Sequence, residues 1–142
     1  MAKKQRIRAI ALCLLRHQGR ILVHEAYDSA KQVGFARSLG GGIDFGETSA
    51  EAAIREIKEE LGADIADVAL LGIVENIFVY EGEPGHEIVF VYDGRFVDQS
   101  LYEKEHLTAV EGKRQFKAVW RSPEELRSGP HPLVPEEIWE LL

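Results

Sequence analysis

Residues 41–63 read Gly41-Gly42-Ile43-Asp44-Phe45-Gly46-Glu47-Thr48-Ser49-Ala50-Glu51-Ala52-Ala53-Ile54-Arg55-Glu56-Ile57-Lys58-Glu59-Glu60-Leu61-Gly62-Ala63. Thr48 and Glu51 have the spacing of a capping box, in which each side chain satisfies a backbone N–H near the other residue. Gly62 is a natural left-handed C-cap. The stretch between them predicts a helix of about four turns. Ala50, Ala53, Ile54, Ile57 and Leu61 recur at helical spacing and form its expected core face. Glu56, Glu59 and Glu60 fall within an arc of roughly 100° on another side. Ala52 lies between Glu56 and Glu59 in angle, so little bulk on the preceding turn blocks a ligand there.

The same segment holds Asp44, Glu47, Glu51, Glu56, Glu59 and Glu60 against Arg55 and Lys58, so −4 of the formal −7 is concentrated in it. Such a face is commonly just solvated, relieved by Arg55 pairing with Glu51 or Glu59 one turn away. Crowded carboxylates also suit a divalent cation, and Mg²⁺ takes hard oxygen ligands from one or two carboxylates, water and phosphate. Gly40-Gly41-Gly42 and Gly46 allow close backbone approach, so carbonyls or amides there could reach a metal or a phosphate.

Outward from this helix the chain reads as strands and turns. Arg6 to Leu15 is nearly all apolar, as in a strand covered on both faces. Ile21-Leu22-Val23 follows after a break at His17-Gln18-Gly19 and is expected to pair with it, and Phe35 to Leu39 is a further short strand. Beyond the helix, Leu70 to Tyr80 and Ile88 to Val97 flank the turn-rich Glu81 to Gly85, which predicts a hairpin. Asp98 to Gln115 is polar without a clear period and is expected to be a functional loop with at most a short helical turn. Lys117 to Trp120 resumes a strand. Ser122, Pro123 and Glu125 start a second helix, and Glu136 to Leu142 predicts a closing one.

The 142 residues, 45% hydrophobic and 29% charged, fit one compact domain over 1–142. No apolar run approaches the roughly 20 residues of a spanning helix, and Met1-Ala2-Lys3-Lys4 runs towards a strand, so neither membrane insertion nor a cleaved leader is expected. The lone Cys13 sits among leucines and reads as a small buried hydrophobe. With no disulfide framework, a cytoplasmic setting is expected. The net negative charge lacks the basic footprint of non-specific nucleic-acid binding, so no polymeric nucleic acid is expected as a partner.

Gly41, five residues, Glu47, seven residues, then Arg55-Glu56-Ile57-Lys58-Glu59-Glu60-Leu61-Gly62-Ala63 resembles the Nudix box at all its fixed polar and glycine positions. Three departures are mild. Ala63 stands where a larger aliphatic is preferred, Leu39 where many members have proline, and Asp44 where glutamate is common. The resemblance covers essentially the whole chain and is most specific in the box. It implies an α/β (α+β) fold, a Nudix-type α/β/α sandwich with a mixed β-sheet. It also implies Mg²⁺-dependent hydrolysis of a diphosphate linkage in a nucleoside diphosphate derivative, with Mn²⁺ able to substitute.

Carried over to matching positions, Glu56, Glu59 and Glu60 would hold metal, with the Gly40 carbonyl as an extra ligand, while one glutamate could act as base instead. Arg55 would orient the glutamates through ion pairs, and Glu47 would fix the loop to the helix start. Many relatives use a further acid from a later loop. Glu111, before Gly112, is the first choice here, ahead of Glu103 and Glu105. Arg37 is the candidate phosphate-binding cation, although an exposed strand-edge arginine is an equally ordinary reading.

Tyr27, Phe35, Phe78 and Tyr80 could stack on a base, or simply be core. Glu87, beside His86, reads as making a structural hydrogen bond, and His86 has no second histidine at metal-ligand spacing. The substrate is a small nucleotide: a nucleotide sugar, a dinucleoside polyphosphate or a nucleoside triphosphate. A non-catalytic nucleotide-binding module is the alternative, which loss of a box glutamate would favour. Isoprenoid diphosphate isomerisation is a third reading, disfavoured by the short chain and the absence of a cysteine near the box. Exposed strand edges with Ile138, Trp139 and Leu142 could support a homodimer.

Overall fold

The computed structural model describes residues 5–142, so the reading of Met1 to Lys4 lies outside the described residues. The elements run β1 (Arg8–His17), β2 (Arg20–Asp28), β3 (Val33–Arg37), β4 (Leu39–Gly42), α1 (Ser49–Leu61), β5 (Ile65–Tyr80), β6 (Glu83–Phe96), β7 (His106–Glu111), β8 (Arg114–Arg121) and α2 (Pro123–Ser128). Short 3₁₀ turns occupy Gln99–Glu103 and Glu136–Leu141, the latter where a closing helix was expected.

β1 organises the rest. It pairs in parallel with β6 over Arg8 to Leu15 and antiparallel with β4 over Ile10 to Cys13, but meets β2 only at Arg16 and His17. β5 extends the first arm, and β3, β8 and β7 extend the second from β2. The sheet is therefore mixed, and its two arms share only the end of β1. Burial of β1 on both faces follows from its sequence. Ile10, Leu12 and Leu14 pack with Leu126 of α2 and Ile138, whereas Ala11, Cys13 and Leu15 lie in the clusters that hold Ala52, Ala53 and Ile57 of α1. Helical elements thus cover both faces, which is the expected sandwich.

The free tips of the arms are tied together. Asp28, 3% exposed, accepts backbone N–H groups from Ala30, Lys31 and Glu81 at 3.0, 3.1 and 3.3 Å. Lys31 Nζ donates to the Val79 carbonyl at 2.6 Å, and the Glu81 carboxylate accepts from the Ser29 N–H and hydroxyl. The β2–β3 turn is thereby fastened to the β5–β6 turn.

Several expectations need correction. Asp98 to Gln115 is no loop: after one 3₁₀ turn it forms β7 and starts β8, with a tight turn at Gly112, whose φ is +60°. The period-2 signal was weak because only Leu107 and Ala109 face inward, and the apolar Val110 lies on the exposed side with His106 and Thr108. The β5–β6 turn is likewise only Glu81-Gly82, with Gly85 inside β6. On α1 the buried residues are Ala52, Ala53, Ile57 and Glu60, while Ile54 is 41% exposed. The sheet-facing arc is rotated by roughly 75° from the expected one, towards the glutamates. Alanines there let the helix settle on β1 and β4, and a larger side chain would hold it off. At the C-terminus, Ile138 is fully buried and Trp139 is partly buried beneath the Arg127 guanidinium, 4.2 Å from its ring. Ile138 and Trp139 are not a free surface, whereas Leu142 is 41% exposed, and further exposed apolar side chains gather on β5, at Ile73, Ile77 and Val79.

The rotated helix face has a direct check by thermal or urea unfolding. Ala52→Leu overpacks the α1–β1 contact and is expected to cost about 1–3 kcal/mol. Ile54→Gln should stay within about 0.5 kcal/mol of wild type, as an exposed substitution does.

Candidate active site

The capping box forms as read: the Thr48 hydroxyl accepts from Glu51 N–H at 3.1 Å, and the Glu51 carboxylate accepts from Thr48 N–H at 2.8 Å. This fixes where α1 starts, and hence where its second and third turns face. Gly62 closes the helix with φ +67°.

Arg55 is the hub of the box. Its Nη2 donates to Glu47 Oε1 at 2.6 Å and to the Gly42 carbonyl at 2.9 Å, and its Nε donates to Glu47 Oε2 at 3.0 Å. Its Nη1 donates to Glu56 Oε1 at 2.9 Å and to Glu59 Oε2 at 3.2 Å. One guanidinium therefore joins the β4 end, the loop and the helix, a use of its fork geometry that lysine cannot reproduce. Its hydrogen bonds, together with one from Asp44 N–H, hold the Glu47 carboxyl down at about 2. The same pairing with Glu47 raises the Arg55 pKa above its ordinary value.

Glu60 is different: it is 5% exposed and has no cation bonded to it among the described residues. Burial, then the charges of Glu56 and Glu111, push its carboxyl up to about 8, against a hydrogen bond from Gly40 N–H at 3.1 Å and the more distant charge of Arg37. The glycines make this arrangement possible. A Cβ on Gly40, at φ +149°, would collide with the Ala11 carbonyl, and one on Gly41 would meet the Glu56 carboxyl at 2.5 Å. The structure thus brings Glu56, Glu60, Glu111, Arg37 and Gly40 together. Glu59 lies at the rim with a side chain 60% exposed. Glu103 and Glu105 are exposed residues that precede β7.

Arg37 and Glu111 open into a cleft of about 1030 Å³ between the two arms. Tyr27, Phe35, Phe78 and Tyr80 all line it, with Phe35 and Tyr80 edge to face at 5.7 Å. Sequence reading missed two further groups near Arg37. His24 pairs with Arg37 across β2 and β3 and stacks on Phe116 at 3.9 Å, and burial followed by the Arg114 and Arg37 charges lowers its pKa. Arg114 faces Glu111 across the β7–β8 turn and lines the cleft. The two-residue turn Gly112-Lys113 was the available signal, hidden by the polar surroundings. Glu111, Arg37 and Arg114 thus line a cleft with aromatic walls.

The donor set suits Mg²⁺ in chemistry: every candidate ligand is an oxygen, and a buried carboxyl kept protonated by its neighbours is relieved by a cation. Among the described residues no group of three or more acidic, histidine or cysteine side chains stands close enough together to hold a metal ion by itself. An open half-site is compatible with an ion that keeps several waters and binds through phosphate. The raised Glu60 pKa has a signed consequence for metal-free protein. Since the fold favours the protonated form, Glu60 destabilises the native state progressively as pH rises from its ordinary 4.5 towards about 8. Glu60→Gln, which stays neutral, should therefore gain Tm relative to wild type as pH rises through that window, measured with a chelator present. A pH-independent difference would contradict the assignment.

The NUDIX domain family model matches residues 4–141. An RNA pyrophosphohydrolase from Wolbachia pipientis subsp. Culex pipiens is 31% identical over 91 residues, 63% of this chain and 52% of that protein. A putative mutator protein MutT4 of Mycobacterium tuberculosis is 37% identical over 65 residues, 46% of this chain and 26% of the relative. The chain spans about half, or less, of the length of these curated relatives. Among solved structures, a MutT NUDIX hydrolase from Burkholderia pseudomallei superposes with a TM-score of 0.69 at 25% identity, covering 96% of this chain and 97% of that one. A NUDIX hydrolase from Nitrosomonas europaea gives 0.65 at 17% identity over 96% and 86%, a likeness of fold. With the box intact from Gly41 to Gly62 and the domain match running almost end to end, the chain belongs to the Nudix family.

Proposed function

We propose that this chain hydrolyses a diphosphate linkage in a small nucleoside diphosphate derivative, using Mg²⁺ or Mn²⁺ at Glu56, Glu59, Glu60, Glu111 and the Gly40 carbonyl. One observation carries the reading: a buried Glu60 feels the charges of Glu56 and of Glu111, and Glu111 lines an aromatic-walled cleft of about 1030 Å³ together with Arg37. When bound, the ion supplies Lewis acidity towards the diphosphate oxygens and the attacking water. The protein's own contributions are positional and electrostatic. Arg55 aims Glu56 and Glu59 by direct hydrogen bonds, while Glu47 and the Gly42 carbonyl hold Arg55 in place. Arg37 and Arg114 balance phosphate charge at the cleft side of the carboxylates. Glu60 or a neighbouring glutamate takes the proton of the attacking water, which requires the carboxylate form that a bound cation favours.

The relatives named RNA pyrophosphohydrolases raise an RNA 5′ end as an alternative substrate. Net charge −7 favours the small molecule, since the chain offers little surplus cation for a polyphosphate backbone. The single free, buried Cys13 accords with a cytoplasmic protein. No helix among the described residues is long and apolar enough to cross a membrane.

The test is a turnover panel with Mg²⁺: nucleoside triphosphates, nucleotide sugars, dinucleoside polyphosphates and a 5′-triphosphorylated RNA. At least one small nucleotide should be cut, and faster than the RNA. Glu60→Gln should lower kcat at least about a hundredfold with the fold intact by circular dichroism, the scale of losing a principal metal-site group. Nucleotide binding without turnover anywhere in the panel would favour the binding-module alternative.

A further inference from the structure

Glu87 was expected to make a structural hydrogen bond, and among the described residues its side chain makes none. The residue is 7% exposed, lines the cleft, and among the described residues has one ion pair, with the half-exposed Arg8 at 3.9 Å. That separation is beyond hydrogen-bonding range. What exposure remains to the side chain, 9%, and its place in the cleft lining leave the carboxylate oxygens open to a ligand that brings N–H or O–H donors. Its surroundings indicate which donors. Asn76 sits directly opposite on β5, on the same face of the β5–β6 pair, and also lines the cleft. A carboxylate with two acceptor oxygens therefore stands beside an amide that can donate, both on the cleft floor.

The register places this pair relative to the metal end. Glu87 is level with Arg8 of β1, whereas Gly40 is level with Leu12. Four strand residues separate the two levels, about 13 Å along the strand, a span of the order of a nucleoside diphosphate. Ile10 and Val89 form apolar floor between them, and Phe35, Phe78 and Tyr80 supply ring surfaces at the far side. A diphosphate held beside Arg37 and Arg114 at the metal end would direct its base towards Asn76 and Glu87.

We infer that Glu87 and Asn76 read the base edge of the substrate and select guanine. Guanine is the common base with two adjacent donors, N1–H and the exocyclic amino group, which match the two carboxylate oxygens, and its O6 accepts from the Asn76 amide. Adenine and cytosine place a ring lone pair beside their single amino group, which would oppose a carboxylate oxygen. Uracil has one N–H between two carbonyls. A site with buried polar groups discriminates strongly because a wrong ligand leaves them unpaired. This inference deepens the proposed function and rests on the nucleotide reading of the cleft.

Calorimetric titration with nucleoside 5′-monophosphates and Mg²⁺ tests it without catalysis, since a monophosphate has no diphosphate to cut. GMP should bind about tenfold more tightly than IMP, which lacks the exocyclic amino group, and about a hundredfold more tightly than AMP. Glu87→Gln, which keeps the shape but has one acceptor oxygen, should reduce the GMP-over-AMP ratio at least about tenfold. Asn76→Ala should weaken GMP alone, and unchanged Tm values exclude misfolding. Equal binding of GMP and AMP, or a ratio unmoved by Glu87→Gln, overturns the inference. The turnover panel separates the two readings: equal cutting of all bases sinks guanine selection and keeps the hydrolase, whereas guanine-selective binding with no cutting does the reverse.

Discussion

Glu60 is placed where a helix normally puts leucine, in the middle of the arc that α1 turns to the sheet, between Ala52, Ala53 and Ile57. Much of the site's architecture follows from accommodating that carboxyl. The alanines bring the helix close enough for Gly40 N–H to reach it, and Gly40 and Gly41 keep side chains out of the space that it and Glu56 occupy. Glu111 arrives from the second arm to complete the acidic group. A leucine there would improve the core and leave no reason for the glycines, the alanines or the β7–β8 turn to be where they are.

Arg55 solves the opposite problem. Glutamates on a helix wander among rotamers, and six hydrogen bonds from one guanidinium to Glu47, Gly42, Glu56 and Glu59 fix two of them and anchor the loop before the helix. The site therefore contains two kinds of carboxylate. Glu47, Glu56 and Glu59 bond directly to the guanidinium, whereas Glu60 is buried without a bonded cation.

How much of this was legible follows from which signals are local. The box helix and its caps were readable because each depends on residues within a few turns of one another, whereas the guanidinium of Arg55, expected to meet Glu51 or Glu59, bonds to Glu59 and, across the loop, to Glu47. Glu111 was readable as a candidate from its place before Gly112, although its strand was not, since β7 turns only two apolar residues, Leu107 and Ala109, inward. The face of α1 was misjudged because hydrophobic periodicity favours Ile54 over Ala52, and only the proximity of β1 and β4 selects the smaller side chain. Glu87, Asn76, His24 and Arg114 converge from four different strands, and no spacing in the chain announces such a meeting.

The tie between the two turn tips, through Asp28, Lys31, Ser29 and Glu81, has a consequence for recognition. Joined at β1 at one end and at the tips at the other, the arms form a closed frame around the cleft. A frame resists spreading, so a ligand finds the gap already at its working width and little conformational freedom remains to be lost on entry. Affinity differences among ligands should then reflect how well each fills and bonds the existing space. Bulky partners face a size ceiling set by these hydrogen bonds across the tips, where a hinged jaw would set none.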